Sequence, residues 1–354
     1  MSTPTRRIPL KPGDLYHQDL VEIIARETRR YGLVEVNDPD DPLFPVAYRM
    51  MWDVFGPRGE LETAEDLRGF LREDPFVPGP GGSFLRYFLI VATDREGRPI
   101  GVRDGTILVN PAIDPRLCVV YLSRLYVPPE ARGTALSLWL RIAPVEIATR
   151  FLGELGARGL VPLPAPDDPD HHYGMQIDLV AEMSFFHPDD RMSWQRLVFY
   201  GRGGFEAVDP ADFPYLQPDF REGGGPLSPT PFALVVRRMG REGDGQLPVD
   251  EATAITRLLF DDFASFCTDE ALRQGLGHLV GHLAQRGSAP LRLLPLPVDA
   301  GTVDRLRPLF RDDVYQRCYR GLSPEVDAVL AEAIGSPDAL SQSLGRLAEH
   351  LASR

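Results

Sequence analysis

Apolar and polar positions alternate along this chain in stretches that change period abruptly. Val119–Val127, VVYLSRLYV, is dense in β-branched and aromatic residues and predicts a strand inside a sheet. Pro128-Pro129 cannot donate to a ladder, so the strand must end there. From Leu136 the period becomes helical: Leu136, Leu140, Ala143, Ile147, Phe151 and Leu155 predict a long amphipathic helix, with Pro144 expected to kink or split it. Ahead of this pair, FLRYFLIVATD and IGVRDGTILVN flank the polar REGRP, which predicts a hairpin over Phe84–Asn110. Further upstream, Asp14 can cap a helix closed by Gly32, and a short strand covers Leu33–Val36. Helices are expected over Pro45–Phe55 and Thr63–Arg72, the second opened by Thr63 with Asp66 three residues on, close to a capping box.

Beyond the long helix lies a Pro- and Asp-rich loop, Gly156–Pro169. Met175–Phe186 then alternates and predicts a strand whose Gln176, Asp178, Glu182 and Ser184 face either solvent or a site. Asp189 or Asp190 can cap a helix, SWQRLVFYGRGGF, that ends at Gly201, and Phe232–Met239 reads as another strand. Arg241–Gln246 is a Gly-rich polar linker. After it, helices are predicted over Pro248–Phe266, Asp269–Gln285, Thr302–Phe310, Pro324–Ala333 and Pro337–Ala352, with one short strand at Leu291–Leu296. The pattern divides the chain into an α/β domain over residues 1–240 and a mostly helical region over 247–354. That region would dock on the preceding domain or form the contact of a homodimer.

Composition narrows the function. With 51 acidic against 38 basic residues, the net charge is −13, which argues against nucleic acid or an anionic membrane as partner. No run approaches the ~20 apolar residues a bilayer crossing needs, and the opening MSTPTRRIPLKPGD has no apolar signal core. Cys118, Cys267 and Cys318 are scattered, as expected of reduced thiols in a cytoplasmic protein. Asp167-Asp168-Pro-Asp170-His171-His172 has metal-ligand types but is contiguous and broken by proline, so a solvated loop is the expected reading.

The turn between the strand and the long helix consists mostly of small residues. Amides at a helix N-terminus lack intrahelical partners, and the helix dipole favours negative charge there, so the turn is a plausible anion cradle. Val127-Pro-Pro-Glu130 followed by Arg132-Gly133-Thr134-Ala135-Leu136-Ser137 resembles the acyl-CoA pyrophosphate loop of the GNAT superfamily of N-acyltransferases. Ala135 and Ser137 stand where that loop usually carries glycine, or glycine or alanine. A second resemblance is Phe199-Tyr200-Gly-Arg-Gly-Gly204-Phe205, similar to the family's Phe-Tyr-x-x-x-Gly-Phe. Hairpin, turn and helix, strand, and Tyr-to-Phe element follow the family's order over residues 84–240.

The resemblance implies a mixed, mostly antiparallel twisted sheet flanked by helices, with a helical C-terminal appendage. It also implies acetyl-CoA or another acyl-CoA as cosubstrate and a primary amine of a small molecule or peptide as acceptor. The pantetheine arm would pair with the backbone of Leu125, Tyr126 and Val127. The pyrophosphate would meet Arg132, Gly133, Thr134, Ala135, Leu136 and Ser137. Tyr200 takes the place of the family's general acid, and Glu182, on the polar strand face, is the candidate base, with Asp178 in reserve. Tyr121 stands where many members carry a catalytic Glu. An alternative from the same residues is a GNAT-like protein that binds acyl-CoA or a partner without catalysis.

Overall fold

The longest local ladder is the hairpin. In this computed structural model, which describes residues 6–9, 30–79, 81–132, 134–162, 175–184, 191–218, 220 and 230–306, the chain packs as two compact units. One ends at Ile177 and the other begins at Asp178, so the linker at 241–246 falls inside the second unit. The helix expected after Asp14, the Asp167–His172 loop, the cap at Asp189 or Asp190 and the last two helices lie outside the described residues.

In the first unit, β1 (Arg6–Arg7), β2 (Gly32–Val36), β3 (Phe84–Thr93), β4 (Pro99–Val109) and β5 (Leu117–Tyr121) form a sheet in that order, every neighbour antiparallel. The β3–β4 turn is closed by Asp94, whose amide donates to the Arg98 carbonyl, while Gly97 takes a φ of 81° that other residues resist. Helices α1 (Phe44–Phe55) and α2 (Ala64–Arg72) cover one face, burying Phe44, Ala47, Met51 and Leu67 against Val36, Leu89, Val91 and Val102. Each such side chain contributes about 1.5–3 kcal/mol by leaving water. Thr63 caps α2 in a full capping box, its hydroxyl accepting from the Asp66 amide and its own amide donating to the Asp66 carboxylate.

Helix α3 (Leu136–Ala157) differs from its expectation. Every residue from Trp139 to Ala148 is buried, so it is a core helix enclosed on all sides rather than an amphipathic one. Pro144 sits inside it without breaking it. That helix end meets the sheet where Gly101 leaves room: a Cβ there would lie 3.1 Å from Leu140 Cδ1 and 3.4 Å from Leu136 Cδ2.

The second unit is also built on an antiparallel sheet. Its order is β7 (Gln176–Met183), β11 (Ala233–Arg238), β8 (Glu206–Val208), β13 (Leu291–Pro295) and β12 (Gln246–Leu247), while β9 (Leu216–Gln217) and β10 (Thr230–Pro231) pair separately. Helices α4 (Arg191–Gly201), α5 (Val249–Phe263), α6 (Asp269–Arg286) and α7 (Ala300–Leu306) complete it. The short strand expected at Leu291–Leu296 appears as β13, and it enters the sheet beside β8. Among the described residues no helix is long and apolar enough to cross a membrane.

Candidate functional site

The predicted central strand is interrupted. β5 stops at Tyr121, and the chain rejoins β4 only at β6 (Leu125–Tyr126). Between the pairs Thr106↔Tyr121 and Arg103↔Leu125, β4 advances three residues and the opposite segment four, so one extra residue makes a β-bulge at 122–124. Ser123 stands exposed at its crest. Gly105 permits the bulge: a Cβ there would lie 2.1 Å from the Tyr121 carbonyl oxygen and 2.6 Å from the Phe88 ring.

Asp104, fully buried on β4, organises the bulge. Its Oδ1 accepts from the Arg124 amide at 2.9 Å, and its Oδ2 from the Arg124 guanidinium at 2.7 Å and the Tyr87 hydroxyl at 3.1 Å. The Asp104 amide donates to the Arg124 carbonyl in return, at 3.1 Å. Arg124 also donates from Nε to the Glu60 carbonyl at 2.7 Å and from Nη2 to the Glu62 carboxylate. Burial, reinforced by the Asp104 charge, pushes the Tyr87 phenol well above its usual range. Burial also pushes the Glu62 carboxyl up, with Arg124 opposing it. Periodicity alone does not reveal this cluster, whose members lie on separate segments of the chain. Asp104-Gly105 within a strand was the available signal, since an interior glycine marks a bulge.

The turn after β6 is short and partly self-occupied. Arg132 Nε donates to the Val127 carbonyl at 2.9 Å, and the Arg132 amide donates to Pro129. Thr134 Oγ1 accepts from the Leu136 amide at 3.2 Å, and Ala135 is buried as the N-cap of α3 with no side-chain cap. Among the described residues, the amides of Thr134, Ala135 and Ser137 have no protein acceptor. Gly133 lies outside the described residues. β6 bonds to β4 along one edge.

In the second unit, Glu182 is half-buried on β7, where its carboxylate accepts from the Tyr215 hydroxyl at 2.6 Å and from the Gln217 side-chain Nε2. The polar face expected of this strand is largely closed, since Ile177–Ala181 are all buried. Asp178, the reserve base, is fully buried, opposite Arg238 in the β11 register and 3.4 Å from the Arg241 guanidinium. Burial and the neighbouring Glu251 carboxylate drive its pKa well above the usual range, so it is enclosed rather than available.

Tyr200 lies near the end of α4, its ring edge-on to Phe199 and Phe205, each 5.2 Å away between centroids. The glycines after it have local causes. Gly204 takes a φ of 75°, and at Gly201 a Cβ would lie 2.4 Å from the Pro297 carbonyl oxygen. Arg202 Nε ties to the Val298 carbonyl at 2.8 Å. His282 Nε2 lies 2.9 Å from the Asp212 carbonyl, and no metal-binding cluster occurs among the described residues.

Taken in chain order, the hairpin, bulged strand, Pro-Pro turn, long helix, strand, short helix ending at Gly201 and closing strand build a mostly antiparallel sheet flanked by helices, in the order the sequence resemblance implied. Two similar solved structures are N-acetyltransferases. One is an aminoglycoside acetyltransferase from an uncultured soil metagenomic sample, 14% identical, with a TM-score of 0.29 over 49% of this chain and 86% of its own. The other is a spermidine/spermine N-acetyltransferase from Vibrio cholerae, 10% identical, with a TM-score of 0.29 over 61% of this chain and 96% of its own. No family model matches the chain, and a search of curated proteins finds no relative.

Proposed function

We propose that the protein is an acyl-CoA-dependent N-acyltransferase that moves an acetyl or other acyl group to a primary amine of a small molecule or peptide. The observation that carries this reading is that, among the described residues, the amides of Thr134, Ala135 and Ser137 have no protein acceptor, at the mouth of a helix that follows a bulged strand and a Pro-Pro turn. Such a helix mouth attracts a diphosphate through its dipole and free N–H groups. Leu125, Tyr126 and Val127 would accept the pantetheine arm as an added strand, with Arg132, Gly133 and Leu136 completing the loop. The amine attacks the thioester carbonyl, a C–N bond forms, the C–S bond breaks and the thiolate leaves. Tyr200 is assigned the proton for that thiolate, and Glu182 is assigned the proton lost by the amine.

A second reading, acyl-CoA binding without catalysis, is favoured by the Glu182 carboxylate, which already accepts from Tyr215 and Gln217. Calorimetry with acetyl-CoA and thiol release with a panel of amines separate the two. The enzyme reading expects binding and amine-dependent release, and it fails if acetyl-CoA binds but no amine releases thiol. Tyr200→Phe should lower the rate at saturating substrate by about tenfold or more while leaving acetyl-CoA affinity unchanged. An unchanged rate removes Tyr200 from its role.

A further inference from the structure

We infer that Arg124 is a positioning residue whose guanidinium fastens the 59–63 loop and the 122–124 bulge into one piece, setting the direction of Leu125–Val127 for the acyl-donor arm. The inference rests on the donor reading above. The planar fork of arginine can serve several acceptors at fixed angles, and here it serves three: Asp104 Oδ2 at 2.7 Å, the Glu60 carbonyl at 2.7 Å, and the Glu62 carboxylate. The residue is tied at its backbone too, the amide to Asp104 Oδ1 at 2.9 Å and the carbonyl to the Asp104 amide at 3.1 Å. Asp104 is fully buried and has the Tyr87 hydroxyl behind it at 3.1 Å.

A bulge left to itself has neighbouring registers, because it interrupts the ladder that would fix them. Clamping both its amide and its carbonyl to one buried aspartate removes that freedom. Leu125 follows directly in the chain, so the orientation of its strand edge is inherited from the clamp. The Glu60 and Glu62 contacts bring in the segment between α1 and α2, which the capping box at Thr63 also holds. Its carbonyl at Glu62 accepts the Tyr48 hydroxyl at 3.3 Å. Arg124 thus links two segments far apart in sequence to the strand that precedes the proposed cradle.

The test uses the full chain and two ligands, acetyl-CoA and 3′-phosphoadenosine 5′-diphosphate, which carries the diphosphate but no pantetheine arm. Arg124→Ala should weaken acetyl-CoA about tenfold while leaving the armless nucleotide unchanged, because only the arm depends on Leu125–Val127. Arg124→Lys, whose single ammonium cannot span three acceptors, should behave like the alanine variant. Equal weakening of both ligands, or no weakening of either, overturns the inference. If Arg124→Ala does not fold, Asp104→Asn replaces it, keeping an acceptor for the Arg124 amide while dropping the charge that holds the fork, and the same split is expected. Absence of acetyl-CoA binding by the wild-type protein overturns the donor reading and this role together, whereas wild-type binding unaffected by the variants overturns the role alone.

Discussion

Each unit buries a carboxylate against arginine, and the two arrangements serve different ends. In the first unit, one aspartate, Asp104, meets one arginine, and the remaining arms of Arg124 reach a loop carbonyl and a mostly buried glutamate. In the second, Asp178 and Glu251 meet Arg238 and Arg241. Glu251 accepts from both guanidiniums, and Arg238 also donates to Asp244 and to the Gln246 carbonyl. Asp178 and Arg238 face each other across the β7–β11 ladder, so that cluster fixes neighbouring strands and the start of α5. The Asp104 cluster instead fixes an irregularity. Buried ion pairs add little net stability, but removing one partner strands the other, so the arrangement of partners shows what each pair holds in place.

The comparison breaks most sharply at Arg238. Arg238→Ala leaves Glu251 with one partner fewer inside the second unit and should cost about 3–5 kcal/mol, read from urea unfolding. Gly105→Ala strikes the other cluster by forcing a methyl against the Tyr121 carbonyl, and should cost about 2–3 kcal/mol with exchange protection lost first around residues 121–125. Thr63→Ala removes the cap on the segment that Arg124 grips and should cost about 1 kcal/mol by thermal melting. The smallest effect at neutral pH belongs to Asp178→Asn, and its signature is in pH. The folded-state pKa of Asp178 lies above its ordinary value of 3.8, so its contribution to stability is full below that value and is lost as pH rises through the raised pKa. Asparagine cannot ionise, so the variant should flatten this decline, matching wild type below the ordinary value and exceeding it at alkaline pH, as urea unfolding at a series of pH values would read.

What the sequence disclosed was mostly local. The 84–110 hairpin and the Thr63–Asp66 box appear as expected, because alternation, a polar turn and a capping residue each act within a few positions. The bulge at 122–124 was hidden because VVYLSRLYV has uniform strand propensity, and the interruption is imposed by Asp104 and Gly105 on another strand. Helix α3 was predicted by spacing, but its enclosure on every side comes from what packs around it. Pro144 stays helical in that setting because the surrounding packing outweighs the propensity loss. For the candidate site, the position of the turn before α3 was legible, whereas the occupied Glu182 carboxylate and the enclosed Asp178 depend on Tyr215, Gln217, Glu251 and Arg241, all distant in sequence.

The place of β13 bears on how the polypeptide emerges during translation. β8 ends at Val208, yet the neighbour that completes its outer edge starts at Leu291. Until the ribosome has released that later segment, a short hydrophobic edge with open amides and carbonyls is presented to other nascent chains. Stalling or premature termination before Leu291 therefore exposes a sticky border, and chaperone demand should peak in that interval of synthesis.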